Sequence, residues 1–451
     1  MSDIIAAIAT GRAPCAIGIL RLSGPGCAAL TGRVFTPKQP FADAPDRRLV
    51  LGLLHDRQGR VIDECLGVVC RAPHSYTGEE TVELQCHGSP AMLAAGLESL
   101  LAAGARQAGP GEFTRQAFLN GKLDLTQAEA VVDLIDAETA DAAANAAGQL
   151  GGALKRAIGP VYDGLTDLCS HFHAVLDYPD EDIEDFGAAE LSGALDRAGA
   201  ALQELLATYE KGRHLRQGVR AVLLGKPNAG KSSLLNRLAG YDRVIVTDIA
   251  GTTRDTVEEP VRVGRVLLRL TDTAGIREAG DAIEALGVAR SEQAAREAEL
   301  ALFVCDASQP LTDEDRRAIE AAKCAPRSLA LCNKSDLPAA VSPDELPFDT
   351  VLTVSARTGA GLDALPALLE GWFLGENACD GSLLTNPRQF GALDRASRAI
   401  ERAKTGLSLG VTPDAVLTDV EEAMAALGEV TGRTVREDIT NRIFERFCVG
   451  K

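Results

Sequence analysis

The stretch Val219–Ser233 constrains this chain most. A short apolar run is followed by Gly225-Lys226-Pro227-Asn228-Ala229-Gly230-Lys231-Ser232-Ser233. This satisfies G-x-x-x-x-G-K-[ST] between a strand (Val219, Val222, Leu223, Leu224) and the opening of a helix (Leu234, Leu235, Leu238), the context a phosphate-cradling loop requires. Glycines let successive backbone N–H groups converge on a phosphate. The helix start adds its positive dipole end and Lys231 a point charge. Ser232 is placed to offer its hydroxyl to Mg²⁺. The bland alternative, a glycine-rich turn without a ligand, explains the spacing less well.

At 451 residues the chain has room for about three domains. Apolar residues at 46% and charged ones at 24% mark a globular protein. No apolar run approaches the ~20 residues that span a bilayer, and Met1–Thr10 lacks the basic flank of a signal peptide. The eleven cysteines are scattered, without a C-x-x-C pair, which suits a reducing cytoplasm. Acidic residues outnumber basic ones 64 to 46, a net charge of −18. Such a surface repels phosphate backbones, and aromatics at 4% leave few stacking platforms for bases. An RNA substrate would need a partner to carry much of its affinity.

Residues 1–118 alternate short apolar runs with turns, the signature of a small α+β domain. Ala16–Leu22, Leu66–Cys70 and Thr81–Cys86 read as strands and Ala91–Ala103 as a helix. The polar loops Ser75–Glu80 and Gly109–Thr114, beside a strand arginine and a strand glutamate, outline a candidate pocket. From residue 119 the chain turns alanine-rich and helical. Thr126-Gln127-Ala128-Glu129 reads as a capping box, and helices are expected over 152–176 and 187–212. The acidic turn Asp177–Asp185 between them fits a solvated bend better than a metal cluster. Residues 216–377 alternate strand and helix, and 378–451 return to helical periodicity, with a further capping box at Thr434–Glu437. The expected architecture is multidomain α/β, with a mostly parallel G domain inserted between the halves of a helical domain.

Four more signals follow in G-protein order. Gly251-Thr252-Thr253-Arg254-Asp255 can bring a threonine hydroxyl to Mg²⁺ and the γ-phosphate. The strand Leu267–Thr271 ends in Asp272-Thr273-Ala274-Gly275, where Asp272 can hold Mg²⁺ through water and the Gly275 N–H can meet the γ-phosphate. Leu329–Cys332 ends in Asn333-Lys334-Ser335-Asp336, whose carboxylate can take two N–H bonds from a guanine edge. Ser355-Ala356-Arg357 can meet the base O6. Each sits at the carboxyl end of a strand, where doubly wound sheets bind ligands, and five in order specify GTP. Ile276 occupies the place where small signalling GTPases keep a water-orienting glutamine. Glu284 is the candidate replacement, acting on water directly or through a second water; it could equally be an acid favouring a helix N-terminus. Asn228 could join carbonyls in holding a monovalent cation.

Along nearly its full length the chain resembles the tRNA-modification GTPase family MnmE (TrmE). The resemblance rests on Gly18–Gly24, Ser75–Glu79, Pro110–Thr114, Ala117–Leu125, the G motifs and the terminal Phe447-Cys448-Val449-Gly450-Lys451. It implies a homodimer through the N-terminal domain, which binds 5-formyl- or 5,10-methylene-tetrahydrofolate at Arg21, Glu83 and Lys122, with Lys451 nearby. It implies nucleotide contacts along Thr247-Asp248-Ile249-Ala250-Gly251-Thr252-Thr253, K⁺ held by Asn228 with Thr247, Ile249 and Thr252, Mg²⁺ held by Ser232 and Thr253, and Glu284 as the catalytic acid. K⁺-dependent pairing of G domains would drive hydrolysis. An FAD-dependent partner, MnmG (GidA), in a heterotetramer, would share the installation of an aminomethyl or carboxymethylaminomethyl group at C5 of the wobble uridine in certain tRNAs. Cys448 could be a nucleophile, though a structural role suits it better. Ser89, where the family pattern suggests glycine, puts the Cys86-His87-Gly88-Ser89 loop in question. A competing class, a GTP-switched ribosome-assembly factor like the Era or Der proteins, fits less well: the chain has one P-loop, no basic RNA-binding domain and an acidic balance.

Overall fold

Leu20 and Leu22 alternate with half-buried neighbours along one strand, and Val82, Leu84 and Cys86 along another, so one face of a sheet is buried. In the computed structural model these are β2 (Cys15–Ser23) and β6 (Thr81–Gly88) of a seven-stranded sheet. Its other strands are β1 (Ile5–Ile8), β3 (Phe35–Pro37), β4 (Val50–His55), β5 (Val61–Cys70) and β7 (Arg106–Gln107), in the order β3-β4-β5-β6-β2-β1-β7. Every pairing is antiparallel except β1 with β7. Helix Pro90–Ala102 covers the buried face with Leu93 and Leu100. The structure describes residues 3–11, 13–37, 44–177, 188–241, 258–272, 284–375, 380–433, 443–445 and 447–450.

The chain divides into two units, 1–132 with 417–451, and 133–416. In the first, helices Glu112–Leu119 and Leu125–Ile135 follow the sheet. The cap of the second differs from the sequence expectation. Asp124, not Thr126, stands before its first turn: Asp124 Oδ1 accepts the Gln127 N–H (2.9 Å) while Gln127 Oε1 accepts the Asp124 N–H (3.0 Å). The Thr126 hydroxyl donates to Asp124 Oδ1 instead. A carboxylate with Gln three residues on meets the same reciprocal demand two residues earlier. The C-terminal segment returns to this unit, with Val449 bridged to Pro110 and the Gly111 N–H donating to Cys448 O. Phe444 packs between Phe118 and Phe447, its ring tilted by 41° and 45° to theirs.

The second unit holds a six-stranded sheet of β8 (Val219–Leu224), β9 (Glu258–Val263), β10 (Val266–Asp272), β11 (Leu300–Asp306), β12 (Arg327–Asn333) and β13 (Val351–Thr353), ordered β13-β12-β11-β8-β10-β9. It is parallel except for β9 at one edge. The apolar runs Ala221–Leu224 of β8 and Leu300–Cys305 of β11 match strands buried on both faces. Helices Ala153–Asp177, Ala188–Ala207 and Pro387–Ser408 come from both sides of this sheet in sequence. The last two are tied by Gln203 Nε2 to Ser397 Oγ (3.1 Å) and by Lys404 to Asp196. The helix expected over 187–212 breaks at Thr208, whose hydroxyl accepts the Leu384 N–H, and resumes as Tyr209–Gln217.

Expectations for 178–185, for Thr434–Glu437 and for Ile276 lie outside the described residues. Among the described residues no helix is long and apolar enough to cross a membrane, and the cysteines are free thiols.

Candidate functional site

The carboxyl edge of the parallel sheet gathers most of the described G-motif residues. β8 runs into the loop 225–230 and then helix Lys231–Tyr241. Only glycine fits two positions of that loop: Gly225 has φ +145° and Gly230 φ +98°, and a Cβ on Gly230 would lie 2.1 Å from Asn333 Nδ2. Asn228, exposed at the loop tip, also takes a left-handed φ of +64°. Lys231 Nζ donates to the carbonyls of Gly225 (2.7 Å) and Lys226 (2.9 Å), so the ammonium stands over the loop. Ser232 and Ser233 are exposed on the first turn of the helix, and Ala229 is buried.

Asn333, at the end of β12 and 2% exposed, ties this loop to the base-side loop. Its Nδ2 donates to Ala229 O and its Oδ1 accepts the Ala356 N–H, each at 2.9 Å. Asp336 accepts from Ser355 Oγ (2.6 Å) and pairs with Arg357 (2.9 Å). The Ser355 hydroxyl is the main cause holding the Asp336 carboxyl below its ordinary range, so it stays an ionised acceptor. Lys334, at φ +66°, donates to Asp306 Oδ2 at 2.6 Å. Burial opposes ionisation of Asp306, but bonds from Lys334 and Ser308 outweigh it and hold its pKa down.

Asp272 ends β10 beside Leu223 of β8, which puts its backbone at the same edge. Glu284 opens helix Glu284–Glu297. The side chains of both are outside the description, as are Thr247, Asp248, Ile249, Ala250, Gly251, Thr252, Thr253, Thr273, Ala274 and Gly275.

Two anchors of this edge escaped the sequence reading. Asp315, fully buried, accepts from Lys226 Nζ (2.8 Å) of the phosphate loop and from Thr312, which it caps. Asp306 is the other. Their only sequence signals were an acid ending the apolar run Leu300–Cys305 and a T-x-x-D ahead of a helix.

In the first unit, β2 and β6 pair Arg21 with Glu83, and Arg21 Nε donates to Glu83 Oε1 at 2.8 Å. The Arg21 guanidinium lies 5.8 Å from the Tyr76 ring centroid and 5.7 Å from that of Phe113, and reaches Gly450 O at 3.3 Å. The two polar loops proposed from sequence therefore do meet at the strand arginine, through their aromatic residues. Tyr76 OH and Thr114 Oγ1 are 2.9 Å apart. Lys122 bonds to Pro73 O and packs against Gly78 of the Tyr76 loop. Lys451 lies outside the described residues, next to Gly450. Ser89 has an ordinary φ of −76° ahead of its helix, so that position makes no demand for glycine. Cys448 is exposed.

A family model described as the GTP-binding protein TrmE N-terminus matches residues 4–122, and one described as the MnmE helical domain matches 125–448. The tRNA modification GTPase MnmE of Roseiflexus sp. (strain RS-1) is 45% identical over 465 residues, spanning 100% of this chain and 99% of that protein. The chain belongs to the MnmE (TrmE) family of tRNA modification GTPases. Its relative from Aquifex aeolicus is 41% identical over 455 residues, with 100% of both chains covered. The solved G domain of the T. maritima FeoB iron transporter is similar at 24% identity and a TM-score of 0.26, over 33% of this chain and 94% of that one.

Each of the two units carries one of the polar sites described above. The G-motif edge holds the Lys231 ammonium at a helix start and the ionised Asp336 carboxylate. The N-terminal site offers a guanidinium, a carboxylate and two aromatic rings.

Proposed function

We propose that this chain is a K⁺-activated GTPase that hydrolyses GTP to GDP and phosphate. With an FAD-dependent partner of the MnmG (GidA) kind, it takes part in adding a carboxymethylaminomethyl or aminomethyl group to C5 of the wobble uridine of certain tRNAs. The observation that carries the GTPase reading is the Asn333 bridge, which fastens the phosphate loop to the Asp336–Ser355–Ala356–Arg357 loop. That bridge fixes a spacing between a phosphate cradle and a guanine-reading carboxylate.

Within this reading, Lys231 and the backbone of 228–233 hold the phosphates, and the Ser232 and Thr253 hydroxyls hold Mg²⁺. Asn228, with Thr247, Ile249 and Thr252, holds K⁺. The fit of Asn228 rests on its left-handed backbone and its exposure at the loop tip. A monovalent cation there supplies the positive charge that an arginine finger supplies in other GTPases. Glu284 orients the attacking water in place of the glutamine that Ile276 replaces. GTP and GDP are the exchanging ligands, and two copies pair their G domains in the active state.

The donor set of the N-terminal site fits a tetrahydrofolate. Glu83 can accept from adjacent ring N–H groups, the Arg21 guanidinium can meet a carbonyl or carboxylate, and Tyr76 and Phe113 offer apolar faces. Lys122 and Lys451 add positive charge for a glutamate tail. Folate supplies a one-carbon unit when bound. The domains read as 1–118 for folate and dimerisation, 119–215 with 378–451 helical, and 216–377 for GTP, in a cytoplasmic protein. Nucleoside analysis of tRNA tests this. A strain lacking the gene and its homologues should lack the C5-substituted wobble uridine, and expression of this chain should restore it. Failure to restore it with a folded, GTP-binding protein would refute the tRNA assignment.

A further inference from the structure

The N-terminal sheet carries a second cluster of chemistry, apart from Arg21 and Glu83. β5 and β6 pair with Leu66 opposite Gln85 and Gly67 opposite Leu84. The next step of that register sets Cys65 opposite Cys86, both 3% exposed. Asp63 lies two residues from Cys65 along β5, hence on the same face. The two thiol sulfurs and an Asp63 carboxylate oxygen all lie within 4.8 Å of one another. Asp63 also accepts the His87 backbone N–H at Oδ2, and its Oδ1 stands 2.8 Å from His87 Nδ1. The His87 ring itself is 79% exposed, so the cluster reaches solvent at one end.

We propose that Cys65, Cys86 and Asp63, completed by water and with His87 bonded to Asp63 from outside, form a binding site for one borderline-soft divalent cation of the Zn²⁺ class. Two thiolates with a carboxylate select zinc-like ions over Mg²⁺ and Ca²⁺, which prefer oxygen alone. Sulfurs on one tetrahedral zinc lie about 3.8 Å apart, given Zn–S bonds of about 2.3 Å. The present spacing reaches that with side-chain movements under about 1 Å. The His87 bonds to Asp63 are the outer support that a ligating carboxylate needs to hold its orientation. On binding, two S–H bonds are exchanged for two metal–sulfur bonds, and about two protons pass to the buffer. The cation would clip β5 to β6, the strand that also presents Glu83. The alternative is two small thiols filling a core in which both already pack.

Cd²⁺ titration of the full chain, with thiols kept reduced, distinguishes these. One equivalent should give a thiolate-to-metal absorption band and release about two protons. The band should vanish in the Cys65→Ser, Cys86→Ser double variant. It should persist when Cys305 and Cys332, whose sulfurs are 3.9 Å apart in the other sheet, are both changed to serine. Absence of a band, or its survival in the first double variant, overturns the site. If that variant does not fold, Asp63→Asn and His87→Ala keep both thiols. Each should weaken Cd²⁺ binding at least tenfold, and unchanged affinity in both would equally overturn it.

Discussion

Replacing Asn333 by alanine should cripple nucleotide binding although Asn333 is one buried side chain at the end of a strand. The change strands two buried backbone groups, the Ala229 carbonyl and the Ala356 N–H. Each lost partner costs about 1–3 kcal/mol, so the bridge accounts for about 2–6 kcal/mol in all. That loss divides between folding of the α/β half and holding the two loops at their binding distance. If half falls on binding, GDP affinity drops from about fivefold to over a hundredfold, at about 1.4 kcal/mol per factor of ten. Titration with a fluorescent GDP analogue reads the affinity, and a thermal melt reads the rest. Asn333→Asp sharpens the test. It keeps an acceptor for the Ala356 N–H but sets a carboxylate against the Ala229 carbonyl, so it should bind no better than the alanine variant. Affinity within twofold of the parent, with an unchanged melt, would refute the bridge.

Gly230→Ala should abolish GTP binding, because its Cβ would stand 2.1 Å from Asn333 Nδ2 at a φ of +98°; filter binding at saturating GTP reads this directly. Glu299 accepts from Arg213, His214 and the Arg220 N–H, and these bonds overcome burial to hold its pKa at about 2. Its native pKa lies below the unfolded value, so its stabilisation is complete above pH 4.5 and fades as pH falls toward 2. In urea, Glu299→Gln should therefore be less stable than the parent near neutrality, with the gap narrowing below pH 4.5. A gap that stays constant with pH would refute that. Arg21→Ala should remove the calorimetric heat of 5-formyltetrahydrofolate seen with the parent chain. Equal heats in both would exclude Arg21 as a contact.

Much of the G-domain half was legible because its signals are local. The runs Leu300–Cys305 and Leu329–Cys332 are apolar throughout, and among the described motifs the 225–230 loop and Asn333–Asp336 stand at the strand ends that place them. β1 and β4 were missed for physical reasons. β1 has four residues, and β4 leaves Leu51 and Leu53 half exposed, so its alternation carries no polar face. The Thr126 cap was misread because Asp124 and Gln127 satisfy the same spacing rule, and only the backbone decides between them. The meeting of Arg21, Tyr76, Phe113 and Gly450 was the least legible feature as geometry. Arg21 and Gly450 stand 429 residues apart, and no local propensity encodes that contact. There, the residues themselves outlined two polar loops beside a strand arginine and glutamate, resemblance to a family added Lys122, Lys451 and the folate, and the β2–β6 register supplied the pairing.

The proposed GTPase chemistry needs an alkali cation and a helix-borne acid in place of the missing glutamine. Single-turnover GTP hydrolysis by the full chain, measured in K⁺ and in Na⁺ at equal ionic strength, addresses it most directly. The expected result is faster cleavage in K⁺, and none above background for Glu284→Ala even though that variant still binds GTP. Equal rates in the two salts, or normal cleavage by the variant, would contradict the account.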